Sequence, residues 1–257
     1  SVVVCSLRWS TYSRLAVAAA APVVAVVVVC FAFLVRFVVV RWMCRRRMAN
    51  PLPAAFTASL MLLYIIHPTV VREMVRPLSC SPAVDGVRYL VADLSLACGT
   101  REHAFYSMLA VAVLVVFGLG LPAVTLLLVR RSSRASAFTA VVGAGSHRTS
   151  QLSAMLSFLT AEYRPQHAHW ESVNIVRKTC LVFVTTMLAH SGALQLFAVV
   201  AVLVFFFVVL IAARPFKDAL QSRLEMASQA VCVTTLYCGM MYSLGEVSTA
   251  VNTVSAT

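Results

Sequence analysis

Two cysteines in a polar segment are the residues of this chain best placed for covalent chemistry. Cys80 and Cys98 stand 18 positions apart in "SCSPAVDGVRYLVADLSLACGTREH", residues 79–103, which contains no other cysteine. Oxidising compartments permit disulfides, whereas the cytosol keeps thiols reduced. We therefore predict a Cys80–Cys98 bridge on the outside of a membrane, and the alternative is two free thiols in a loose loop. The Asp85-Gly86 pair favours a tight turn inside the segment.

A second set of chemically distinctive residues is charged. Glu171, Arg177 and Lys178 lie close together at the start of an apolar run. An acidic residue in the first helical turn followed by basic residues predicts an interfacial charge cluster, in contact with lipid phosphates or with residues 130–172. We interpret this cluster as a structural anchor, and the alternative is a role in a switch.

The other ionisable residues do not form a catalytic or metal-binding pattern. Four of them lie near the ends of apolar runs: His67, His190, Glu225 and Glu246. Interfacial, solvated or hydrogen-bonded roles are expected there. His167 and His169 lack a cysteine or carboxylate at ligand spacing. We therefore predict no catalytic residue, no metal site and no cofactor, and we do not expect an enzyme.

The composition is that of an integral membrane protein. Of the 257 residues, 61% are hydrophobic and 12% are charged, whereas soluble domains contain about 45–50% apolar and about 25% charged residues. Almost every Lys and Arg lies beside an apolar run, so the positive-inside rule explains the net charge of +12. A nucleic-acid partner is therefore not expected. Because the sequence starts at Ser1, we interpret it as a piece of a longer polypeptide.

Six apolar stretches are long enough to cross a bilayer. A spanning helix needs about 20 mainly apolar residues, because it rises about 1.5 Å per residue. The predicted spans are residues 15–40, 51–71, 104–129, 173–191, 193–213 and 226–244. In the third span, Gly118, Gly120 and Pro122 predict a kink. The sequence thus predicts an all-α polytopic bundle.

The polar segments complete the domain organisation. An outer cap is expected at residues 72–103, and the cysteine pair would close it. Four apolar residues recur at the period of one helical face: Leu152, Met155, Leu156 and Leu159. They predict an inner amphipathic helix at about residues 149–162. The transmembrane module then extends over residues 15–247, between an extracellular lead-in at 1–14 and a tail at 248–257.

Positive charge predicts the orientation. If the N-terminus is outside, 15 of the 21 Lys and Arg residues fall on inner segments, including the cluster Arg45, Arg46 and Arg47. Because inner loops carry an excess of positive charge, the N-terminus and the cap are expected outside. Cys44 stands beside the inner arginines and is a candidate for S-palmitoylation.

An ion channel is the main alternative to an anchoring role. Tetrameric cation channels insert a pore helix and filter between their last two spans, on the outer side. Here the last two spans are joined by "RPFKDALQSRLE", which the charge pattern places inside, and the outer connection before them is about "HSG". Neither connection is expected to build such a pore. A transporter is disfavoured because charged residues are missing from the middle of the spans.

Five segments together resemble a known membrane module: "YIIHPTVV", "C…VDGVRYLVADLSLAC…H", "GLGLPAV", "AEYRPQHAHWESVNIVRKTCLVFV" and "ARPFKD…LEMASQ". They are similar to the C-terminal multi-pass module, TRP-like or polycystin-like, of large algal and protist surface proteins. The resemblance covers roughly residues 60–245. It implies that Cys80 and Cys98 match the loop pair of that module. It also implies that four residues match the start of the fourth span of that module: Trp170, Glu171, Arg177 and Lys178.

The resemblance further implies a function. We expect a membrane anchor for a large extracellular or ciliary surface assembly, in the plasma or ciliary membrane, such as the membrane end of a mastigoneme shaft. The expected partners are the lipid bilayer, neighbouring membrane proteins such as a polycystin-type channel, and an extracellular filament or matrix. The alternative is a TRP-like or polycystin-associated channel or sensor component. Related modules often continue with another span, so the resemblance leaves open whether a further span follows Thr257.

Overall fold

The computed structural model describes residues 10–44, 52–83, 86–142 and 156–255, and this part of the chain is almost entirely α-helical. Within those ranges the strands form one two-stranded antiparallel sheet. The prediction of an all-α bundle is therefore confirmed.

Helices α1 (Thr11–Cys44) and α2 (Leu52–Val75) pack against each other. Apolar residues surround nearly the whole circumference of α1, and large side chains such as Phe31 are exposed, as expected for a helix in contact with lipid. One side of α2 is buried instead, and its Met74 lies in a core cluster with Leu15 of α1. The two helices thus form the first part of the bundle.

The cap between the second and third helices contains a 3₁₀ turn (Arg76–Leu78) and strands β1 (Tyr89–Leu90) and β2 (Asp93–Ala97). The strands are antiparallel. Gly86, with φ +80°, and Gly99, with φ +91°, have left-handed backbones on either side of the sheet. Glycine adopts this conformation without the steric cost of a Cβ, so the chain can reverse there.

The third span is one long helical stretch with an irregular middle. It consists of α3 (Arg101–Val113), a π-helical segment (Leu114–Leu119) and α4 (Gly120–Val142). The hydroxyl of Thr100 caps its start by accepting a hydrogen bond from the backbone N–H of His103 at 3.2 Å. The first turn is therefore fixed directly after the cap.

The remaining elements are a single turn α5 (Ser157–Thr160), a 3₁₀ turn (Pro165–His167), and helices α6 (Trp170–Met187), α7 (Gly192–Ala213) and α8 (Ala219–Ser255). Helix α6 packs against α2, α4 and α7, and α7 packs against α8. Helix α6 therefore lies between the first half of the bundle and the last two helices.

The described part of the predicted inner helix at about 149–162 is the turn α5. Leu156 and Leu159 are buried in a core cluster with Leu60 of α2 and Leu121 of α4. Two other members of the predicted apolar face lie outside the described residues: Leu152 and Met155. This apolar face therefore contacts protein where the structure describes it.

Four helical stretches in the described residues are long and apolar enough to cross a membrane: Thr11–Val40, Leu52–Leu78, Arg101–Ser133 and Gly192–Ala213. They coincide with the first, second, third and fifth predicted spans. Helix α6 carries three charged residues in 18 positions, and α8 mixes apolar residues with Ser, Thr, Gln and Tyr. The chain is an integral membrane protein, and a count of six spans stays a prediction.

Candidate functional site: polar contacts between α6 and α8

The segment before α6 is attached to the connection between α7 and α8. The backbone N–H of Arg164 donates to the carbonyl of Pro215 at 2.8 Å, and its Nε donates to the carbonyl of Phe216 at 3.1 Å. Tyr163 pairs with Phe216 in an isolated β-bridge. Both aromatic rings are buried in a cluster with Trp170, the first residue of α6. These contacts fix where α6 begins.

A closed set of hydrogen bonds follows at the first turn of α6. Tyr163 Oη donates to Glu171 Oε2 at 2.8 Å, and Asn174 Nδ2 donates to the same carboxylate oxygen at 3.3 Å and to Tyr163 Oη at 3.2 Å. Burial, followed by the negative charge of Glu171, raises the pKa of Tyr163. Tyr163 therefore stays protonated at neutral pH and remains a donor to Glu171.

An ion pair joins α6 to α8 one turn further along. Arg177 Nη1 and Nη2 both lie 3.3 Å from Glu225 Oε1, and Gln229 Nε2 donates to the same oxygen at 3.0 Å. The side chains of Arg177 and Glu225 are 17% and 33% exposed. Gln229 is buried, and its Oε1 has no hydrogen-bond partner within the described residues. The contact is partly shielded from water, which strengthens it relative to an exposed pair.

The structure separates the three charged residues that the sequence groups together. Glu171 contacts Tyr163, which belongs to the expected 130–172 segment, while Arg177 contacts Glu225 on α8. Lys178 is exposed and has no ion pair within the described ranges. Sequence reasoning placed Glu225 at a solvated span end and missed this contact, although Gln229 four residues later indicates a helical face with polar partners.

The sequence model of the transient receptor potential (TRP) ion channel family matches residues 81–256, which include α3 to α8 and all the polar contacts just described. The chain belongs to the TRP ion channel family. Neither the curated proteins nor the solved structures gave a match.

The cap of this TRP-family chain contains the predicted disulfide. Cys80 and Cys98 are bonded, with their Cα atoms 6.5 Å apart. The imidazole of His103, on α3, lies beside the bridge, with Nε2 3.9 Å from Cys80 Sγ and 3.0 Å from the carbonyl of Pro77. The prediction of a Cys80–Cys98 bridge is confirmed, and His103 connects the bridge to the third span.

A carboxylate also ties the cap to α1. Thr11 Oγ1 donates to Asp93 Oδ2 at 2.8 Å, and Ser95 Oγ donates to Asp93 Oδ1 at 2.6 Å. The hydrogen bonds from Ser95 and then Thr11 lower the pKa of Asp93, because they favour its charged form. The cap is thus attached to α1, α2 and α3 at the same time.

Histidines and cysteines of the described residues do not make a metal centre in this oxidised state. The group of three close enough to share an ion is Cys80, Cys98 and His103. The disulfide occupies both sulfurs, so one imidazole is left as a ligand, whereas a structural zinc site needs four.

The rings of His167 and His169 lie 6.3 Å apart. Burial and the charge of Arg130 lower the pKa of His169.

A buried histidine contacts the irregular part of the third span. His67 of α2 is 1% exposed, and its Nε2 lies 3.1 Å from the carbonyl oxygen of Gly118 in the π-helical segment. The ring of Phe117 lies 5.3 Å away. A π-helical turn is a known cause of helix kinks, and it occurs here beside the predicted kink residues. His67 is hydrogen-bonded as expected, but it is buried between helices.

Some predicted site residues lie outside the described part of the chain. Arg45, Arg46 and Arg47 belong to this group. Cys44 is the last residue of α1, and its side chain also lies outside the description. The positive cluster and the palmitoylation candidate therefore stay predictions from the sequence.

Proposed function

We propose that this chain is a membrane-embedded component of a TRP-type ion channel, and that the α6–α8 contact takes part in gating. The observation that best supports the proposal is the Arg177–Glu225 ion pair, because it joins two helices within the segment that matches the channel family. No catalytic residue is required for this role.

The surroundings of α6 support a gating role for this pair. On one side α6 packs against α2 and α4, where Thr125 and Ser172 share a buried hydroxyl contact of 3.3 Å. On the other side long polar side chains connect it to α8. An ion pair with partial access to water can exchange one partner for solvent, so α8 can move while α6 stays in the bundle.

The test is a current measurement on the purified full chain in planar bilayers. We expect the wild-type chain to conduct cations. The open probability of the channel should change in Arg177→Gln and in Glu225→Gln, because either variant removes the ion pair. The exchange Arg177→Glu with Glu225→Arg should restore the wild-type open probability. Lys178→Gln is the matched control, since it removes a neighbouring charge that has no ion pair in the described residues.

Two outcomes would overturn this proposal. Cation currents that stay unchanged in both Arg177→Gln and Glu225→Gln would refute a role of the α6–α8 contact in gating. Equal effects of Lys178→Gln and Arg177→Gln would show that the local charge matters and the pair does not.

We also propose that the cap and the N-terminus lie outside the cell. The disulfide supports this orientation because exterior compartments permit it. The excess of arginine on the opposite segments supports it independently. An epitope tag placed after Gly86 should be reachable by antibody on intact cells, whereas a tag beside Arg47 should require permeabilisation. The reverse labelling pattern would refute the orientation.

A second candidate function is the membrane anchor of a larger cell-surface or ciliary assembly. The observation that favours it is the exposed apolar surface of α1, where Phe31 and Trp42 are 66% and 85% exposed and available to a neighbouring membrane protein. The double variant Phe31→Ala, Trp42→Ala should then release a co-assembled surface protein into the medium, because it changes the exposed surface of α1 and leaves the packing of Leu15 against α2 in place. Retention of that protein would exclude the anchoring role of α1.

A further inference from the structure

A cleft opens between the cap and the C-terminal end of α6. Its volume is about 190 Å³. Residues from three elements line it, and the ones that matter here are Arg72, Ser79, Val91, Ala92, Thr186 and Ala189. One valine and two alanines form its apolar wall, and two arginines, two threonines of α6 and a serine supply its polar groups.

Ser79, which lines the cleft, carries a buried hydroxyl. It is 6% exposed, and its Oγ has no hydrogen-bond partner in the described part of the chain. The backbone of Ser79 is fixed, because its N–H donates to Arg76 and its carbonyl accepts from Val91 at 3.0 Å. A buried hydroxyl without a partner is unfavourable, so an acceptor in the cleft would stabilise it.

Arg72 contributes a positive charge that the described residues do not neutralise. It is exposed and belongs to none of the ion pairs found there. Arg76, which also lines the cleft, is already bonded to both oxygens of Glu73 at 2.7 and 2.8 Å. Arg14 lies 3.9 Å from the same carboxylate. The charge left over beside the cleft is therefore positive.

The polar groups of the cleft are donors. The hydroxyls of Thr185 and Thr186 already donate to the carbonyls of Leu181 and Val182, each at 2.8 Å. The hydrogens that remain belong to Ser79, to Arg72 and to the part of the Arg76 guanidinium that does not contact Glu73. The helical stretch Leu52–Leu78, which is long and apolar enough to cross a membrane, contains α2 and the 3₁₀ turn, and α6 ends at Met187. The cleft lies beside the end of this stretch and the cap, where lipid headgroups are expected if the stretch crosses the bilayer.

We propose that this cleft binds the phosphate of an anionic phospholipid from the leaflet on the cap side. The phosphate oxygens accept hydrogen bonds from Arg72 and from the Ser79 hydroxyl, while the acyl chains follow the apolar surface below. The site does not depend on whether the chain conducts ions.

The test uses the purified full chain in detergent and native mass spectrometry, with phosphatidylglycerol and phosphatidylcholine as probes. We expect phosphatidylglycerol to bind more tightly. Arg72→Gln should weaken its binding about tenfold, as loss of a charge-assisted hydrogen bond does. Ser79→Ala should weaken it about threefold and should not lower the melting temperature without lipid, because it removes an unpaired hydroxyl.

Arg88→Gln is the matched control, since Arg88 is an exposed arginine of the same cap outside the cleft. We expect this variant to bind phosphatidylglycerol like the wild type. An equal loss with Arg88→Gln and Arg72→Gln would overturn the site in favour of general charge attraction. Equal binding of the two lipids would overturn it as well. Displacement of phosphatidylglycerol by glycerol 3-phosphate would show that the cleft takes a soluble phosphate, which refutes a lipid ligand.

Discussion

The cap-side region and the α6–α8 region of the molecule differ in the interactions that join their elements. In the first, a disulfide closes the loop between α2 and α3, and buried apolar residues such as Met74 and Ala110 fill the space between helices. In the second, side-chain hydrogen bonds and the Arg177–Glu225 pair connect α6 to its neighbours.

This difference separates a fixed part from an adjustable part. A disulfide opens only by chemical reduction, and separating packed apolar side chains exposes them to water, so neither has a second arrangement of similar energy. Charged side chains at a partly shielded position have water as an alternative partner. We therefore expect movement between α6 and α8 to occur while the cap keeps its shape.

The largest expected effect comes from breaking the covalent link. Cys98→Ser should lower the free energy of unfolding by about 3 kcal/mol, because the unfolded loop regains its freedom. Thermal melting and protease cleavage within residues 79–99 are the measurements. Cys238→Ser, which changes an exposed free cysteine on α8, is the control. A cap that resists protease equally well in both variants would contradict the fixed role of the disulfide.

Breaking the ion pair should have a smaller effect. Arg177→Met leaves Glu225 without its cation and should lower stability by about 1–2 kcal/mol, between the values for exposed and buried pairs. A double-mutant cycle with Glu225→Gln measures the coupling by thermal melting. Lys178→Met should stay close to the wild type. Additive single effects would mean that the two side chains do not interact.

Tyr163→Phe tests the hydrogen bonds around Glu171 and should destabilise the protein by about 1 kcal/mol. The pKa of Tyr163 is higher in the folded state than in the unfolded state. The hydroxyl of Tyr163 therefore contributes fully to the stability of the folded protein below the unfolded pKa of about 10, and this contribution is lost as the pH rises further. Melting temperatures from about pH 8 to about pH 11 should therefore fall more steeply for the wild type than for the variant. Parallel curves would contradict this role.

The smallest effect is expected at Gly118, on the fixed side. A Cβ there would lie 3.6 Å from side-chain carbons of Val71 and Leu114, which is ordinary contact. Gly118→Ala should change the free energy of unfolding by less than about 1 kcal/mol, because alanine also favours the helix. A loss of several times this size in thermal melting would show that the contact between α2 and the third span tolerates no added atom.

Contacts within one segment of the sequence could be predicted, whereas contacts between distant segments could not. The disulfide was predictable because the polar segment holds one pair of cysteines, and four spans were predictable from their unbroken apolar runs. The partner of Arg177 is 48 positions away and depends on how α6 and α8 pack, so residue spacing did not indicate it. The sequence predicts His67 at the membrane interface, whereas the structure buries it. Its partner, the Gly118 carbonyl, is 51 positions away on another helix, so residue spacing does not indicate the contact.

The π-helical segment Leu114–Leu119 also affects the rotation of α4 about its own axis. It holds one residue more than an α-helix of the same number of turns, and one residue corresponds to about 100° around the axis. If it adopted α geometry, α4 would turn by that angle, the Gly118 carbonyl would leave His67, and Thr125 would face away from Ser172. The hydrogen bond between His67 and the Gly118 carbonyl therefore belongs to the rotation of α4 that brings Thr125 to Ser172.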